Sequence, residues 1–270
     1  MTQHVTVITG ASDGIGAELA RQLARRHGPA LALVLAARSQ GKLAEVARAC
    51  EAHGSSVLVR PTDVGIEAEC HGLVLDTVAR FGRLDTLVNN AGMSAHAQLD
   101  EVTDMGWYED LMRINLWGSA WCTHAALPHL KASRGLVVAV SSLAGLVGVP
   151  GRTAYSATKF AMTGFFESLR VEMAPHGVGV TIAYPGVVAT EIRYRGFNAQ
   201  GQAAGKSGLD ERGAMSVETC AGLIARGMAR RQRDIVMSTK GKLGRWMKLL
   251  APSLVDRLAL AALQKDVRPQ

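Results

Sequence analysis

The chain has 270 residues, of which 48% are hydrophobic and 20% charged, the balance of an ordinary globular protein. A chain of this length in one α/β domain buries most of its apolar surface, so it can fold without disulfides or a structural metal. Seven basic and two acidic residues lie between positions 240 and 270, so most of the net charge of +7 belongs to the C-terminal tail. The charge therefore says little about the partners of the rest of the molecule.

The cysteines and the hydropathy pattern narrow the class of protein further. The four cysteines are Cys50, Cys70, Cys122 and Cys220. They form no CxxC pair, which argues against a zinc site or a disulfide framework and suits a reducing cytosol. The N-terminal segment has no apolar signal-peptide region, and no run of about 18 apolar residues predicts a membrane-spanning helix. We therefore expect a cytoplasmic protein without a bound metal.

Strand-like and helix-like segments alternate along the chain. Strands are predicted at 5–10, 30–38, 56–64, 84–92, 135–142, 178–186 and 234–238. Helices are predicted at 16–28, 41–54, 67–81 and 153–174. Apolar strands without polar alternation are typical of a parallel sheet that helices cover on both faces. The pattern predicts an α/β fold with a single doubly wound Rossmann domain over residues 1–240.

Residues 191–215 interrupt this alternation. The segment is rich in glycine, polar and only weakly periodic. Insertions of this length in a compact domain are more often functional than idle. We interpret the segment as a substrate lid over a site at the carboxyl ends of the strands, and a solvated loop is the alternative.

The tail, residues 241–270, is predicted to be an amphipathic helical extension of the same domain, which Pro252 divides into two short helices. Its apolar residues alternate with Lys and Arg, beginning with Leu243, Trp246, Met247, Leu249 and Leu250. Such a helix can pack on protein, or it can lie on an anionic membrane surface. We favour packing on protein and keep membrane-surface contact as the alternative. No nucleic-acid partner is predicted, because the chain has no recognised module and no basic stripe with stacking aromatics outside the tail.

The segment TGASDGIG, residues 9–16, connects the first predicted strand to the first helix. Its glycines allow a tight turn, close approach of the backbone to a pyrophosphate, and tight packing of the helix. The free N–H groups and the dipole at the helix N-terminus favour the same anion. The residues expected to bind a dinucleotide here are Gly10, Ser12, Gly14, Ile15 and Gly16.

The second predicted strand ends in LAARS, without the carboxylate that would bind a ribose 2′-hydroxyl. Arg38 could instead bind a 2′-phosphate, with Ser39 adding a hydroxyl, although Arg38 could also be an ordinary solvated arginine. We expect NADP(H) as the preferred cofactor and NAD(H) as the alternative. Asp13 argues the other way, because an anion in the glycine loop disfavours a second phosphate.

The segment SSLAGLVGVPGRTAYSATK, residues 141–159, carries polar side chains suited to carbonyl chemistry. Tyr155 and Lys159 share one face of a predicted helix. A neighbouring ammonium favours the phenolate form of a tyrosine, which suits it to proton transfer. Ser142 ends a strand at the sheet edge where doubly wound folds bind ligands, and its hydroxyl could hold a carbonyl oxygen. A half-buried tyrosine beside a lysine with no catalytic role is the alternative.

Several stretches, taken together, resemble the short-chain dehydrogenase/reductase family. They are TGASDGIG at 9–16, NNAG at 89–92, Ser142 thirteen residues before YSATK at 155–159, and PGVVAT at 185–190. They span most of the first 190 residues in the family's order and spacing, and such a set is very specific. The stretches SSLAGLVG and AARS resemble the hydroxysteroid-dehydrogenase-like branch.

The resemblance implies a role for each residue that matches a motif. Tyr155 would be the proton donor and acceptor, Lys159 would also bind the nicotinamide ribose, and Ser142 would orient the substrate oxygen. Asn115 would hold a water that links Lys159 to solvent, whereas the residues alone favour a helix-kink or packing residue at this position. The further cofactor contacts that the resemblance implies are Asp63 and Val64 at the adenine, Asn89, Ala91 and Gly92 at the adenosine and ribose, and Val188 and Thr190 at the nicotinamide carboxamide.

The resemblance also bears on the substrate and on oligomers. It places the loop between Ser142 and Tyr155 against the substrate, and the apolar residues of this loop are Leu143, Ala144, Leu146, Val147, Val149 and Pro150. A small hydrophobic carbonyl or alcohol is therefore expected, with ordinary loop packing as the alternative. The resemblance further implies a homodimer or homotetramer whose interface uses Trp117, Trp121, Phe165 and Phe166, which could also be core residues.

We therefore predict an NADP(H)-dependent oxidoreductase that interconverts a hydrophobic ketone and a secondary alcohol, with Tyr155 as proton donor and acceptor. One alternative is a 3-oxoacyl thioester reductase, whose acidic carrier protein could meet the basic face of the tail. The other is a dinucleotide-binding protein without catalysis. The complete set of Asn115, Ser142, Tyr155 and Lys159 argues against this last alternative.

Overall fold

A computed structural model describes residues 3–207 and 211–266 of the chain. Within these ranges seven strands form one sheet: β1 (His4–Thr9), β2 (Leu31–Ala37), β3 (Ser56–Pro61), β4 (Thr86–Asn89), β5 (Leu136–Val140), β6 (Gly179–Tyr184) and β7 (Asp234–Val236). Their order is β3-β2-β1-β4-β5-β6-β7, and all neighbouring pairs run parallel. The prediction of an α/β fold with one parallel, doubly wound sheet is confirmed.

The strand order reverses between β1 and β4. β1 pairs with β2 on one side, where His4 is opposite Leu31, and with β4 on the other, where Thr6 is opposite Thr86. The connections that leave two strands at such a switch point diverge, and they leave a crevice at the carboxyl ends of the strands. This crevice is where the candidate site lies.

Helices connect the strands and cover both faces of the sheet. The α-helices of the described residues are α1 (Gly14–His27), α2 (Gln40–Glu51), α3 (Glu67–Phe81), α4 (Gly106–Met112), α5 (Gly118–Ser133), α6 (Thr153–Met173), α7 (Val217–Ala229), α8 (Thr239–Leu250) and α9 (Pro252–Asp266). A π-helical stretch, Arg113–Trp117, joins α4 to α5.

Two apolar layers hold these helices to the sheet. Successive side chains of a strand point to opposite faces, so in β2 Leu33 and Leu35 belong to one layer and Val34 to the other. The first layer packs α1, α2 and α7 against the sheet, with Leu19 fully buried. The second packs α3, α5 and α6, with Phe166 fully buried. Burial on both faces explains why the strands lack polar alternation.

The predicted segments are found, with differences at their ends. The strand predicted at 84–92 is only Thr86–Asn89, because the chain turns toward the crevice after Asn89. α1 begins at Gly14, two residues before the prediction, because the Asp13 carboxylate accepts a hydrogen bond from the Gly14 N–H and caps the helix.

The segment that follows β6 has no helix or strand among its described residues, 185–207 and 211–216. Isolated bridges tie it to its surroundings: Val188 pairs with Met215, and Phe197 pairs with Ala95 in the loop after β4. Residues 208–210 of the predicted lid and 267–270 of the predicted tail lie outside the described residues.

The C-terminal extension forms α8 and α9, which meet at Pro252 as predicted. α8 contacts the loop after β5, where Lys248 Nζ donates to the Leu146 carbonyl at 3.1 Å, and it contacts β7, where Arg245 pairs with Asp234 at 2.9 Å. Large apolar side chains of both helices stay exposed: Leu243, Trp246, Leu249, Leu250, Leu254, Leu258 and Leu260. No helix among the described residues is long and apolar enough to cross a bilayer.

The aromatic residues expected at a subunit interface divide between surface and core. Trp117 and Phe165 are 51% and 37% exposed, whereas Phe166 is fully buried against the sheet. Trp121 is partly buried and stacks on Trp117, with ring centroids 6.1 Å apart. Phe166 is therefore a core residue, while Trp117 and Phe165 present apolar surface.

Candidate active site

A cavity of about 800 Å³ lies at the carboxyl ends of the strands, over the crevice between β1 and β4. The segments that follow the first six strands form its walls. We call the lining residues up to Gly92 the cofactor half of the cavity, and those from Met93 onward the substrate half. Each half is built from different kinds of side chain.

The loop after β1 has a backbone conformation that favours glycine. Gly10 and Gly14 have φ values of +65° and +52°. A Cβ on Gly10 would lie 2.8 Å from the Cα of Ala91, so the loops after β1 and β4 touch here. Gly14 and Ile15, at the start of α1, line the cavity, so the free N–H groups of the helix N-terminus lie at its edge. This cradle fits the pyrophosphate of a dinucleotide.

Side chains hold the two loops together. Thr9 Oγ1 accepts hydrogen bonds from the N–H groups of Asn90 and Ala91, both at 3.0 Å. Asn90 Nδ2 donates to the carbonyls of Thr9 and Gly10 at 3.0 and 3.1 Å. A Cβ on Gly16 would collide with the Gly10 carbonyl and the Asn90 amide. Gly16 therefore lets α1 pack directly under the loop.

Asp13 is surrounded by positive charge. Besides capping α1, its carboxylate pairs with Arg195 at 2.7 Å and with Lys42 at 3.8 Å. Arg195 reaches it from the segment after β6, across the mouth of the cavity. The negative charge of Asp13 is thus largely compensated, which weakens the sequence argument that it would repel a second phosphate.

The residues after β2 and β3 complete the cofactor half. Arg38 and Ser39 are exposed and line the cavity, and Arg38 forms no ion pair with the described residues. Asp63 and Val64 line it after β3, where the Asp63 carboxylate accepts from the Gly65 N–H at 2.9 Å. An unpaired guanidinium at this edge fits an anionic group on the ligand.

α6 brings Tyr155 and Lys159 to the wall of the cavity. Both side chains are buried, with exposures of 8% and 4%. Lys159 Nζ donates to the Val140 carbonyl at 3.0 Å and lies 5.7 Å from the centroid of the Tyr155 ring. Burial lowers the pKa of Lys159 from its ordinary value; the nearby Tyr155 opposes this, and Arg152 adds to it. The Lys159 ammonium is therefore held beside the Tyr155 ring.

Ser142 follows the end of β5 and lines the same cavity. Its Oγ accepts a hydrogen bond from the Ala144 N–H at 3.1 Å and caps the short 3-10 turn Leu143–Gly145. Because Oγ acts as an acceptor there, the hydroxyl hydrogen stays available for an oxygen atom in the cavity. Ser141 Oγ donates to the Lys159 carbonyl at 3.2 Å, which fixes α6 against β5.

Asn115 lies in the π-helical stretch and is fully buried. Its Oδ1 accepts from the Met93 N–H at 2.8 Å, and its Nδ2 donates to the Met93 carbonyl and to Thr158 Oγ1, both at 3.0 Å. It lies behind Gly92, where a Cβ would be 3.1 Å from Oδ1. π-helical stretches are frequent at functional sites. Asn115 connects the loop after β4 to α6.

Most of the predicted site residues line this one cavity: Gly10, Ser12, Gly14, Ile15, Arg38, Ser39, Asp63, Val64, Ala91, Gly92, Ser142, Tyr155, Lys159, Val188 and Thr190. Gly16 and Asn115 do not line it, and they support it from behind. Of the loop residues expected at the substrate, Leu143, Ala144 and Val149 line the cavity.

Asn89, expected at the adenosine and ribose, is not among the residues that line the cavity. Its side chain points away from the cavity into the protein, and its Nδ2 donates to Thr123 Oγ1 on α5 at 2.8 Å. Asn89 is the last residue of β4 and keeps the inward direction of a strand position, whereas Asn90 begins the turn and lines the cavity. Asn90 is thus the asparagine of the NNAG motif that belongs to the site.

Sequence reasoning missed further lining residues. Lys42 lies one turn into α2, and Arg195 lies in the poorly periodic segment after β6. Arg152 and Arg193 line the substrate half, where Arg193 Nε donates to Glu211 at 2.8 Å. The position of Arg152 just before the YSATK motif was the one available signal. The others depend on contacts between residues far apart in the sequence.

The chain matches the family model described as short chain dehydrogenase over residues 4–200. It therefore belongs to the short-chain dehydrogenase family. This match covers the cofactor half, both catalytic candidates of α6 and the beginning of the segment after β6.

Named relatives and a solved structure agree with this membership. The chain is 37% identical over 258 residues to an 11-beta-hydroxysteroid dehydrogenase A of Sesamum indicum, covering 93% of this chain and 73% of that protein. It is 35% identical over 255 residues to the 11-beta-hydroxysteroid dehydrogenase-like 4A of Arabidopsis thaliana, covering 93% and 82%. An alcohol dehydrogenase of the archaeon Thermococcus sibiricus, solved as a complex with 5-hydroxy-NADP, matches with a TM-score of 0.74 and 26% identity, covering 87% of this chain and 94% of that one. These relatives support an NAD(P)-dependent oxidoreductase of the hydroxysteroid-dehydrogenase-like branch that acts on CH–OH groups.

Proposed function

We propose that the protein is an NADP(H)-dependent oxidoreductase that interconverts a small hydrophobic ketone and the corresponding secondary alcohol. The observation that carries the proposal is that Ser142, Tyr155 and Lys159 line one cavity, whose other end suits a dinucleotide. The names of the hydroxysteroid dehydrogenase relatives support the same reaction class.

The preference for NADP(H) over NAD(H) is supported by charge. Arg38 is exposed at the end of β2 without an ion-pair partner among the described residues, so it can bind a 2′-phosphate. Lys42 lies nearby and compensates Asp13 together with Arg195. The solved relative carries an NADP analogue, which agrees with this preference. The nicotinamide of the bound cofactor supplies or accepts the hydride.

The proposed catalytic roles involve four residues. Tyr155 Oη gives its proton to the substrate oxygen during reduction and takes it back during oxidation. Lys159 stabilises the phenolate and binds the ribose hydroxyls next to the nicotinamide. Ser142 donates its free hydroxyl hydrogen to the substrate oxygen and holds it beside Tyr155. Asn115 connects Lys159 to solvent by holding a water near Gly92 and the lysine.

The substrate is expected to be apolar where it meets the protein. Leu143, Ala144 and Val149 line the substrate half from the loop after β5. Val188, Ile192 and Ala203 line it from the segment after β6, within or beside the proposed lid at 191–215. Val188 and Thr190 are proposed to bind the nicotinamide carboxamide at the boundary with the cofactor half.

We further propose a cytoplasmic homodimer or homotetramer that uses the exposed Trp117 and Phe165. The tail, residues 241–270, would be an extension of the catalytic domain at 1–240 and would cover the substrate loop. The contact of Lys248 with Leu146 supports its packing on the substrate loop. Apolar residues of α8 and α9 are exposed on the outer face of the tail, so contact of this face with a membrane surface is the second candidate.

The test is NADPH consumption with an aryl ketone, a steroid ketone and an acetoacetyl thioester, each repeated with NADH. Turnover of the bulky ketones with NADPH is the expected result. Turnover confined to the thioester would move the protein to 3-oxoacyl thioester reduction. NADPH binding without turnover of any panel member would favour a dinucleotide-binding protein without catalysis.

A further inference from the structure

The guanidinium of Arg152 lies over the ring of Tyr155. Its guanidinium carbon is 4.2 Å from the ring centroid, closer than the ammonium of Lys159 at 5.7 Å. Two hydrogen bonds hold it there: Nε donates to the Ala95 carbonyl at 3.2 Å, and Nη2 donates to Ser94 Oγ at 2.5 Å. Both acceptors belong to the loop after β4. Arg152 also lines the substrate half of the cavity.

The charge of Arg152 has no carboxylate to compensate it among the described residues. Its hydrogen-bond acceptors, a carbonyl and a hydroxyl, are both neutral. Two other arginines with little exposed surface are paired, Arg193 with Glu211 at 2.8 Å and Arg170 with Asp234 at 3.2 Å. Arg152 is partly buried at the cavity wall, and a partly buried cation is less stable without an anion than with one. The group in contact with Arg152 that can become an anion is Tyr155.

We propose that Arg152 is a positioning residue that, together with Lys159, compensates the negative charge of the Tyr155 phenolate during turnover. The inference rests on the proposed function, because it assigns Tyr155 the proton transfer. Two cations then share one phenol, one over the face of its ring and one from the next turn of the same helix.

The balance of the reaction shows where the charge appears. In ketone reduction the Oη–H bond of Tyr155 breaks, the alcohol O–H bond forms, and the reduced nicotinamide delivers a hydride to the carbonyl carbon. The phenolate remains between the guanidinium and the ammonium. In oxidation the same phenolate accepts the alcohol proton while the oxidised nicotinamide takes the hydride.

The charged groups around this pair come from three elements. Lys159 faces Tyr155 from α6, and Arg193 approaches Arg152 from the segment after β6. The titratable ring of His96, in the loop after β4, lies 3.3 Å from where a Cβ on Gly151 would be. Burial lowers the pKa of Arg152 from its ordinary value; Tyr155 opposes this, and Arg193 adds to it. These directions agree with a cation that gains from an ionised Tyr155.

The decisive experiment measures the ionisation of Tyr155 without any substrate. Tyrosinate difference absorbance is recorded against pH for the full chain and for Arg152→Gln, and the corresponding Tyr155→Phe protein is subtracted in each case. The midpoint pH of the difference should rise by about one pH unit in Arg152→Gln, because an opposite charge near the phenol is lost. Arg152→Lys should recover part of the shift.

The matched control is Arg193→Gln, which removes a cation of the same cavity that Glu211 already compensates. Its midpoint should move much less than that of Arg152→Gln. Equal shifts in both variants, or no shift in Arg152→Gln, would overturn the proposal. The pH profile of alcohol oxidation should move in parallel once a substrate is known, and the absorbance result stands even if the proposed substrate class is wrong.

Thermal unfolding separates this role from simple folding support. If Arg152→Gln does not fold, Ser94→Ala provides the second variant, because it keeps the charge of Arg152 and removes only the Nη2 hydrogen bond. The loosened guanidinium should raise the midpoint by a smaller amount than Arg152→Gln would. An unchanged midpoint in a folded Ser94→Ala protein with Arg152 displaced from the ring would contradict the proposal.

Discussion

The two halves of the cavity are built in different ways. The cofactor half consists mainly of backbone and short side chains, such as Gly10, Gly14 and Ala91, that follow neighbouring strands. The substrate half combines apolar loop residues with long basic side chains, such as Arg152 and Arg193. The first half is shaped by the sheet and by the conformation of its turns. The second depends on which distant side chains come into contact.

This difference determines how each half should respond to substitution. The cofactor half, which is built mainly from backbone, should tolerate the loss of a nearby charge and should be destabilised when an atom is added to it. The substrate half, which is built mainly from side chains, should tolerate atoms added to its open loop and should lose turnover when one functional group is removed. The predictions below test these two responses, beginning with the largest expected effect.

Tyr155→Phe should abolish nearly all turnover and leave NADPH binding close to that of the parent protein. It removes one hydroxyl from the substrate half, and the loss of a general acid costs about 1000-fold in rate. Steady-state rates and cofactor fluorescence titration check the two parts of the prediction. Tyr108→Phe is the matched control, because its hydroxyl bonds Thr153 at 2.8 Å and does not line the cavity. Similar losses in both variants would contradict the assignment of Tyr155.

Arg38→Ala should weaken NADPH binding roughly 10- to 100-fold, the size expected for charge-assisted hydrogen bonds to a phosphate, and leave NADH binding nearly unchanged. The size of the loss shows how far NADPH binding in the cofactor half depends on this side chain and not on the backbone alone. Arg48→Ala serves as the control, since Arg48 is exposed on α2 and outside the cavity. Equal losses for both cofactors would refute the role of Arg38 in cofactor choice.

The sequence predicted the cofactor half better because its signals are local. Gly10 and Gly14 need positive φ, and the motif that contains them is encoded within a few residues. The pair Tyr155 and Lys159 of the substrate half was predictable for the same reason, because both lie on one face of α6. The direction of the Asn89 side chain was less readable, because the hydrogen bond that turns it inward goes to Thr123, 34 residues away.

The contacts of the arginines could not be predicted in the same way. Arg195 and Asp13 are 182 residues apart, and Arg152 is held by residues 57 and 58 positions away. No periodicity or spacing encodes such pairs, because they form only when separate loops meet over the folded sheet. The same reason applies to Arg193 and Glu211, which meet within a segment that has no regular structure.

Gly16→Ala should lower the free energy of unfolding by about 1–3 kcal/mol, because the added Cβ collides with the Gly10 carbonyl and the Asn90 amide. Denaturant unfolding measures this effect. Gly41→Ala is the helical control and Gly148→Ala is the counterpart in the substrate loop, and neither added Cβ would meet an atom within 4 Å. Destabilisation of all three by the same amount would contradict the contrast between the halves.

Arg195→Gln tests an ion pair that joins the two halves of the cavity. The ion pair with Asp13 is half-exposed, so its loss should change the free energy of unfolding by less than about 1 kcal/mol. Its effect should appear in NADPH binding, which we expect to weaken about two- to fivefold because Asp13 keeps only Lys42 as a counter-charge. Arg195→Lys should restore most of the affinity, and titrations at low and high salt should show the difference shrinking as the charges are screened. Unchanged NADPH affinity in Arg195→Gln would mean that Lys42 and the cap of α1 already compensate Asp13. The cofactor half would then bind NADPH without help from the substrate half.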